Sequence, residues 1–241
     1  MQIADLMDAA FRLAVAGRIE AARPMWQEAR DLAWFRQGVA GAVEVGLRWA
    51  EAEARWGDLE EAERLAREQV RLARRHGLRK LSVRAELLMA ELAWRRSDLG
   101  KARSLFAVAL ERARNAEEGG AELWLDIGRA FADVGMASQA EAAFRTAVGC
   151  ASTGRERAAA WSGLAAALRR QGRCGEAVEA GRRALRVAHW SDEQDLLPEI
   201  LRDLAVYLAE AGHVLDARRT LALLERSGKP SGQSRRGARG A

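Results

Sequence analysis

At 241 residues, with 49% hydrophobic and 30% charged residues, the chain is long enough for one or two folded units with a real core. Only three prolines (Pro24, Pro198, Pro230) punctuate a composition dominated by Ala, Leu, Arg and Glu, and Val and Ile are too rarely alternated with polar residues to build a sheet, so the class expected is all-α. The formal charge of +5 is mostly a property of the last 13 residues, where Lys229, Arg235, Arg236 and Arg239 occur without an acid; the body is left with 35 basic against 34 acidic residues, which weakens a nucleic-acid reading.

The first residues carry Asp5 and Asp8 where a signal peptide needs a basic start and an unbroken apolar stretch. No run of about 20 apolar residues follows, so no membrane span is expected. Cys150 and Cys174 form neither a CxxC pair nor a disulfide framework. A reducing cytoplasm is the expected location.

From there the chain reads as one unit written six times. A small turn followed five residues later by Ala recurs as Gly17 with Ala22, Gly57 with Ala62 and Ser97 with Ala102. It continues as Gly135 with Ala140, Gly172 with Ala177 and Gly212 with Ala217. Successive turns are 40, 40, 38, 37 and 40 residues apart, each flanked by amphipathic segments of about four helical turns. The expected helix-turn-helix units run over about 3–36, 38–78, 80–116, 119–152, 154–190 and 192–227, in one domain spanning 1–228. The remainder, 229–241, is too polar to fold alone and reads as a disordered tail.

Within the units the large and small positions repeat. The first has Leu6, Ala10, Leu13, Gly17, Ala22, Trp26 and Ala29, and the third Met89, Ala90, Ala102, Phe106 and Ala109. The fourth has Trp124, Ile127, Gly128, Phe131, Gly135, Ala140, Phe144 and Ala147. This last set resembles the tetratricopeptide signature of Trp, Leu-Gly, Tyr, Gly, Ala, aromatic and Ala, without its closing Pro. The fifth unit keeps Trp161, Leu164, Ala165, Leu168, Gly172, Ala177 and Ala184 but has Gly181 for the second aromatic, and the sixth is an aliphatic version from Leu201 to Leu224. The second departs most, with Glu53 where an aromatic is expected, Gln69 in place of an Ala, and Trp49 and Trp56 nearby. The resemblance implies a right-handed α-solenoid of about six such repeats, with most tryptophans in the core. Units this long resemble those of large bacterial LuxR-type signalling activators and of kinesin light chains.

One residue past the last Ala position stand Arg30, Val70, Leu110, Val148, Leu185 and Glu225. A charge at Glu225, with Arg218 and Arg219 nearby, reads as the polar outer face of a terminal repeat, hence a complete solenoid, whereas Arg30 breaks the apolar rule. His76, His189 and His213 lie near helix ends or turns, Gly100-Lys101 lacks a phosphate loop, and Glu60-Glu61 and Asp192-Glu193 fall at helix starts. No catalytic constellation, metal motif or cofactor motif results, and the chain is expected not to be an enzyme.

What the resemblance implies instead is a concave groove lined by the first helix of each pair. Its expected partner-binding residues are an apolar row, Leu47, Leu87 and Leu125, then Glu51, Glu91 and Arg129 one turn onward, Trp94 with Arg95, and farther along Ser162, Arg169 and Arg202. The family's Lys and Asn clamp for a carboxylate is missing, since the single asparagine is Asn115 and no lysine falls on that face. The expected partner is another protein or a peptide, with the chain monomeric or homodimeric. A module sensing a small ligand or short peptide is the alternative, and nucleic-acid binding through Arg169, Arg202 and the tail is less expected.

Overall fold

A computed structural model describes residues 2–114 and 120–227, and among these every regular element is a helix. They are α1 (Ile3–Val15), α2 (Ile19–Trp56), α3 (Leu59–Arg75), α4 (Arg79–Arg95), α5 (Leu99–Arg114) and α6 (Gly120–Asp133). Then follow α7 (Ala137–Cys150), α8 (Gly154–Arg170), α9 (Cys174–Trp190), α10 (Leu197–Glu210) and α11 (Val214–Ser227). The long α2 is two helices in sequence, because Gly38 at φ 71° and ψ −161° breaks it between the units expected at 3–36 and 38–78. The tail at 229–241 lies outside the described residues, as does Asn115.

The turns close by a common device. After Gly17, Ser97, Gly135, Gly172 and Gly212, all with positive φ, the next amide N–H donates back to a carbonyl five residues earlier, as from Arg18 to Leu13 at 2.9 Å and from Met136 to Phe131 at 2.8 Å. That bond satisfies a carbonyl the helix end would leave bare, and the left-handed residue is what lets the chain reverse there. Gly57 is different. Its φ is −120°, and the turn is organised by Glu53, a fully buried carboxylate at the position where an aromatic was expected. Glu53 accepts from Arg23 Nε at 2.8 Å, from Trp49 Nε1 at 3.1 Å and from the Asp58 amide at 3.3 Å. A Cβ on Gly57 would lie 2.1 Å from Glu53 Oε2, so the glycine is there for room.

The helices gather into two compact units that divide between Met136 and Ala137. In the first, α1 packs on α2, α2 on α3, α3 on α4 and α4 on both α5 and α6. Alanines with no exposed surface (Ala10, Ala22, Ala29, Ala62, Ala66) line the crossings, and Leu6, Trp26, Leu47, Leu65 and Leu92 fill the space beside them. Gln69, buried in place of an alanine, is matched by Gly46, where a Cβ would lie 2.5 Å from the Gln69 side chain. Arg30 is explained at the same junction: its guanidinium lies over the Trp49 ring at 5.6 Å and reaches Glu68 at 3.4 Å.

In the second unit α7, α8, α9, α10 and α11 pack in succession, and Gly163 makes room for Phe144, whose ring would meet a Cβ at 2.4 Å. Its last hairpin is less polar outside than Glu225 implied, since Val206, Leu215, Leu221 and Leu223 are all exposed. The expectation that most tryptophans are core is also corrected. Of eight, Trp26 and Trp49 are buried, Trp34 and Trp190 are exposed, and the remaining four are part-buried. An indole on a helix is buried only if a neighbouring helix covers that flank.

Gly57→Ala should destabilise the chain by about 1–3 kcal/mol, the usual cost of forcing extra volume into a packed site. In a Glu53→Ala background the same substitution should cost much less, because the clashing carboxylate is gone. Urea titration of the two single variants and the double variant checks this; additive losses would contradict the packing account.

Candidate functional site

In the first unit, side chains of the inner helices line a recess of about 540 Å³. Its walls come from α1 (Met7, Phe11), the second half of α2 (Glu51, Arg55, Trp56), α4 (Arg84, Leu87, Glu91, Arg95) and α6 (Asp126, Arg129, Asp133). These are the first helices of successive hairpins. At one end Phe11 meets Trp56 edge to face, with centroids 5.1 Å apart.

Most of the basic groups here are engaged. Arg84 lies 3.2 Å from Asp126 and 3.8 Å from Glu44, and Arg129 lies 3.2 Å from Asp126. Arg95 donates to the Ala54 carbonyl at 2.6 Å, and Arg55 sits over the Trp56 ring at 5.5 Å. Among the described residues, Glu51 and Glu91 have no hydrogen-bond or ion-pair partner. Enclosure by protein raises the Glu91 carboxyl to about 8, with Asp133 and Glu51 adding repulsion that Arg95 and Arg55 only partly offset. Enclosure also pushes the Glu51 carboxyl up, more than Arg84 and Arg48 pull it down, although its side chain still meets solvent. The Asp126 carboxyl is raised by the same cause against the pull of Arg84 and Arg129.

Of the residues expected to bind a partner, Glu51, Leu87, Glu91, Arg95 and Arg129 line this recess together. Leu47 and Leu125 do not line it; with Leu87 they are 1%, 6% and 3% exposed. The supposed apolar floor is therefore a buried layer. An inner helix in a stack is covered on both flanks, so its apolar stripe is used by its neighbours and only a narrow polar arc stays open. Trp94 is part-buried and outside the lining. Ser162, Arg169 and Arg202 belong to the second unit, where Arg169 is paired with Glu210 at 2.8 Å and Arg202 is exposed. A second recess there, of about 500 Å³, is lined by Trp161, Leu164, Arg145 and Arg183, the last 4.8 Å over the indole. None of the three expected residues lines it.

Of the residues missed in sequence, Trp56, Arg84 and Asp126 follow from one signal, since they fall on the same inner helices as Glu51, Glu91 and Arg129; Phe11 stands on α1, which carries none of the residues expected in the groove. Among the described residues no group of three or more His, Cys, Asp or Glu is arranged to hold a metal ion, and no helix is long and apolar enough to cross a membrane.

No family model and no curated protein matches the chain. Solved structures do. BtubC (BKLC) from P. vanneervenii aligns with 100% of this chain and 98% of its own length at a TM-score of 0.60 and 19% identity. A Rap protein complexed with Competence and Sporulation Factor aligns over 92% of the chain at 0.59 and 20% identity, the chain spanning 63% of that protein. The apo form of RapI aligns over 94% at 0.58 and 14% identity. The fold is thus an all-α solenoid of tetratricopeptide-like hairpins.

A carboxyl that holds its proton more tightly folded than unfolded opposes folding increasingly as pH rises from its ordinary 4.5 to about 8, and no further above that. Glu91→Gln should therefore match the parent chain near pH 4.5 and become progressively more stable than it up to about pH 8, with a constant advantage beyond. Urea titrations across this range check it; an advantage independent of pH would show that Glu91 is not so enclosed.

Proposed function

We propose that the chain is a non-catalytic scaffold that holds a segment of another protein against the inner helices α1, α2, α4 and α6. The observation that carries this reading is the convergence of four successive inner helices on one recess that keeps an aromatic pair and two unpaired carboxylates in reach of solvent. An exposed Phe11 ring and two acids without contacting partners suit recognition of an extended or helical peptide. A structural relative, the Rap protein, was solved in complex with Competence and Sporulation Factor, which supports the reading by likeness of fold. The cytoplasm as location, and a monomer or homodimer as the working form, belong to the same proposal.

The acid-rich lining repels a phosphate backbone, which leaves nucleic acid without a place in this recess. A ligand-sensing module is the second reading, since about 540 Å³ lies within the range of small-molecule pockets, roughly 300–1,000 Å³. Contraction of the scattering radius on adding a cell extract would favour it.

Leu87→Asp is a poor probe of docking, because Leu87 is buried and a charge there tests folding instead. The combined substitution Phe11→Ala with Glu51→Lys should weaken partner capture at least tenfold with helicity unchanged, while Arg71→Ala on an exposed face of α3 should have no effect. Comparative affinity purification from the native host with mass spectrometry measures this. Identical partner sets for all three proteins would remove the inner-helix assignment.

A further inference from the structure

The acids of the first unit fall into two groups. Glu53, Glu63 and Glu86 are buried and paired with cations: Glu53 with Arg23, Trp49 donating beside it; Glu63 with Arg96 and Lys101; and Glu86, through Oε1 alone, with Arg74 and Arg112, Ser82 donating to the same oxygen and Oε2 left without a hydrogen bond. Glu51 and Glu91 have no such partner, although the recess holds arginines that could have reached them. Four of those arginines are turned to other acceptors: Arg95 to the Ala54 carbonyl, Arg84 and Arg129 to Asp126, and Arg55 to the Trp56 ring; the fifth, Arg48, favours the charged form of Glu51 from a distance. Acids outnumber arginines in the lining by seven to five. An enclosed carboxylate without a counter-ion in contact is costly, so Glu91, with Glu51 facing it, favours a cation that makes that contact.

The second feature is the aromatic wall. Phe11 is 48% exposed and stands edge to face with Trp56 at the α1 end of the recess. Such a surface suits the aliphatic stem of a long basic side chain, or its charged head over a ring. Two acids without contacting partners and the exposed Phe11 ring, lining one recess that opens to solvent, describe a seat for lysine or arginine more closely than one for an acidic or purely apolar group.

We propose that the recess anchors a lysine or arginine side chain of the bound protein segment, with Glu51 and Glu91 as its counter-charges and Phe11 and Trp56 as the wall along its stem. The proposal rests on the docking reading above and specifies the chemistry of the partner. It has a thermodynamic consequence. Glu91 faces Glu51 and Arg55 from α2, Arg95 from its own helix and Asp133 from α6, with Asp8 of α1 also in the lining, and it is protonated at neutral pH. A cation seated beside it favours the charged form, so binding at pH 7 releases a proton, and affinity rises with pH by up to tenfold per unit until about pH 8.

The test uses the full chain and a displayed library of random decapeptides, followed by calorimetry of a selected peptide in buffers of differing ionisation heat. Selected peptides should share a Lys or Arg whose replacement by Met weakens binding at least tenfold. Binding at pH 7 should release close to one proton, and Glu91→Gln should weaken binding and abolish that release with helicity unchanged, a change in proton count that a merely structural role for Glu91 would not produce. Peptides that depend on Phe11 but show no basic anchor overturn the cation assignment and leave the docking reading standing. No selected peptide at all, or peptides indifferent to Phe11→Ala, removes both. If neutralising Lys229, Arg235, Arg236 and Arg239 raises affinity for the peptide tenfold or more, the recess is assigned to the chain's own tail, and the partner assignment is overturned.

Discussion

Two amphipathic helices can share a dry interface only where one of them is small enough to let the other's backbone approach, and this requirement governs the whole chain. Alanines such as Ala10, Ala29, Ala62 and Ala66 meet it directly. Where a larger group intrudes, its neighbour shrinks: Gly46 faces Gln69, Gly57 faces Glu53 and Gly163 faces Phe144. No single hairpin hides its apolar stripe, so each helix must be covered on more than one side. The coverage is what leaves the inner helices only a narrow open arc, and that arc carries the chemistry of the recess.

Charge is distributed with the same economy. Acids buried at junctions between helices are each held by cations from other helices, as Arg74 and Arg112 hold Glu86 at 2.9 and 2.8 Å. Such groups fix which helix sits beside which, since losing one partner strands a charge in the interior. Glu51 and Glu91 in the recess lack this arrangement, and their carboxyls are raised by burial that no contacting cation offsets. The contrast between the two sets separates groups that hold the fold from groups left for something outside it.

The repeat was legible in the sequence because its turns demand it. A left-handed residue closing a helix by a bond to a carbonyl five residues back leaves a recurrent glycine, or Ser97, with an alanine five residues on at the next helix crossing. The candidate site was only partly legible. Glu51, Glu91 and Arg129 were reachable by carrying the family's groove rule along the inner helices, but Leu47 and Leu125 belong to the buried layer and Trp94 stands off the lining. Apolar side chains on an inner helix give no sign, in sequence, of whether a neighbour covers them. Arg30 and Glu53 looked like departures from the pattern for the same reason: the Trp49 face and the Arg23 guanidinium that make sense of them lie on other helices.

The sequence by itself therefore determined the helical class, the hairpin period and the turns, all of which depend on neighbours within one or two helical turns along the chain. Tertiary structure alone decided which tryptophans are buried, which arginine each acid obtains, and which carboxylates are left unpaired. Those outcomes depend on what a second and third helix bring to the same point, and side-chain pairing across helices has no fixed spacing in the chain to betray it.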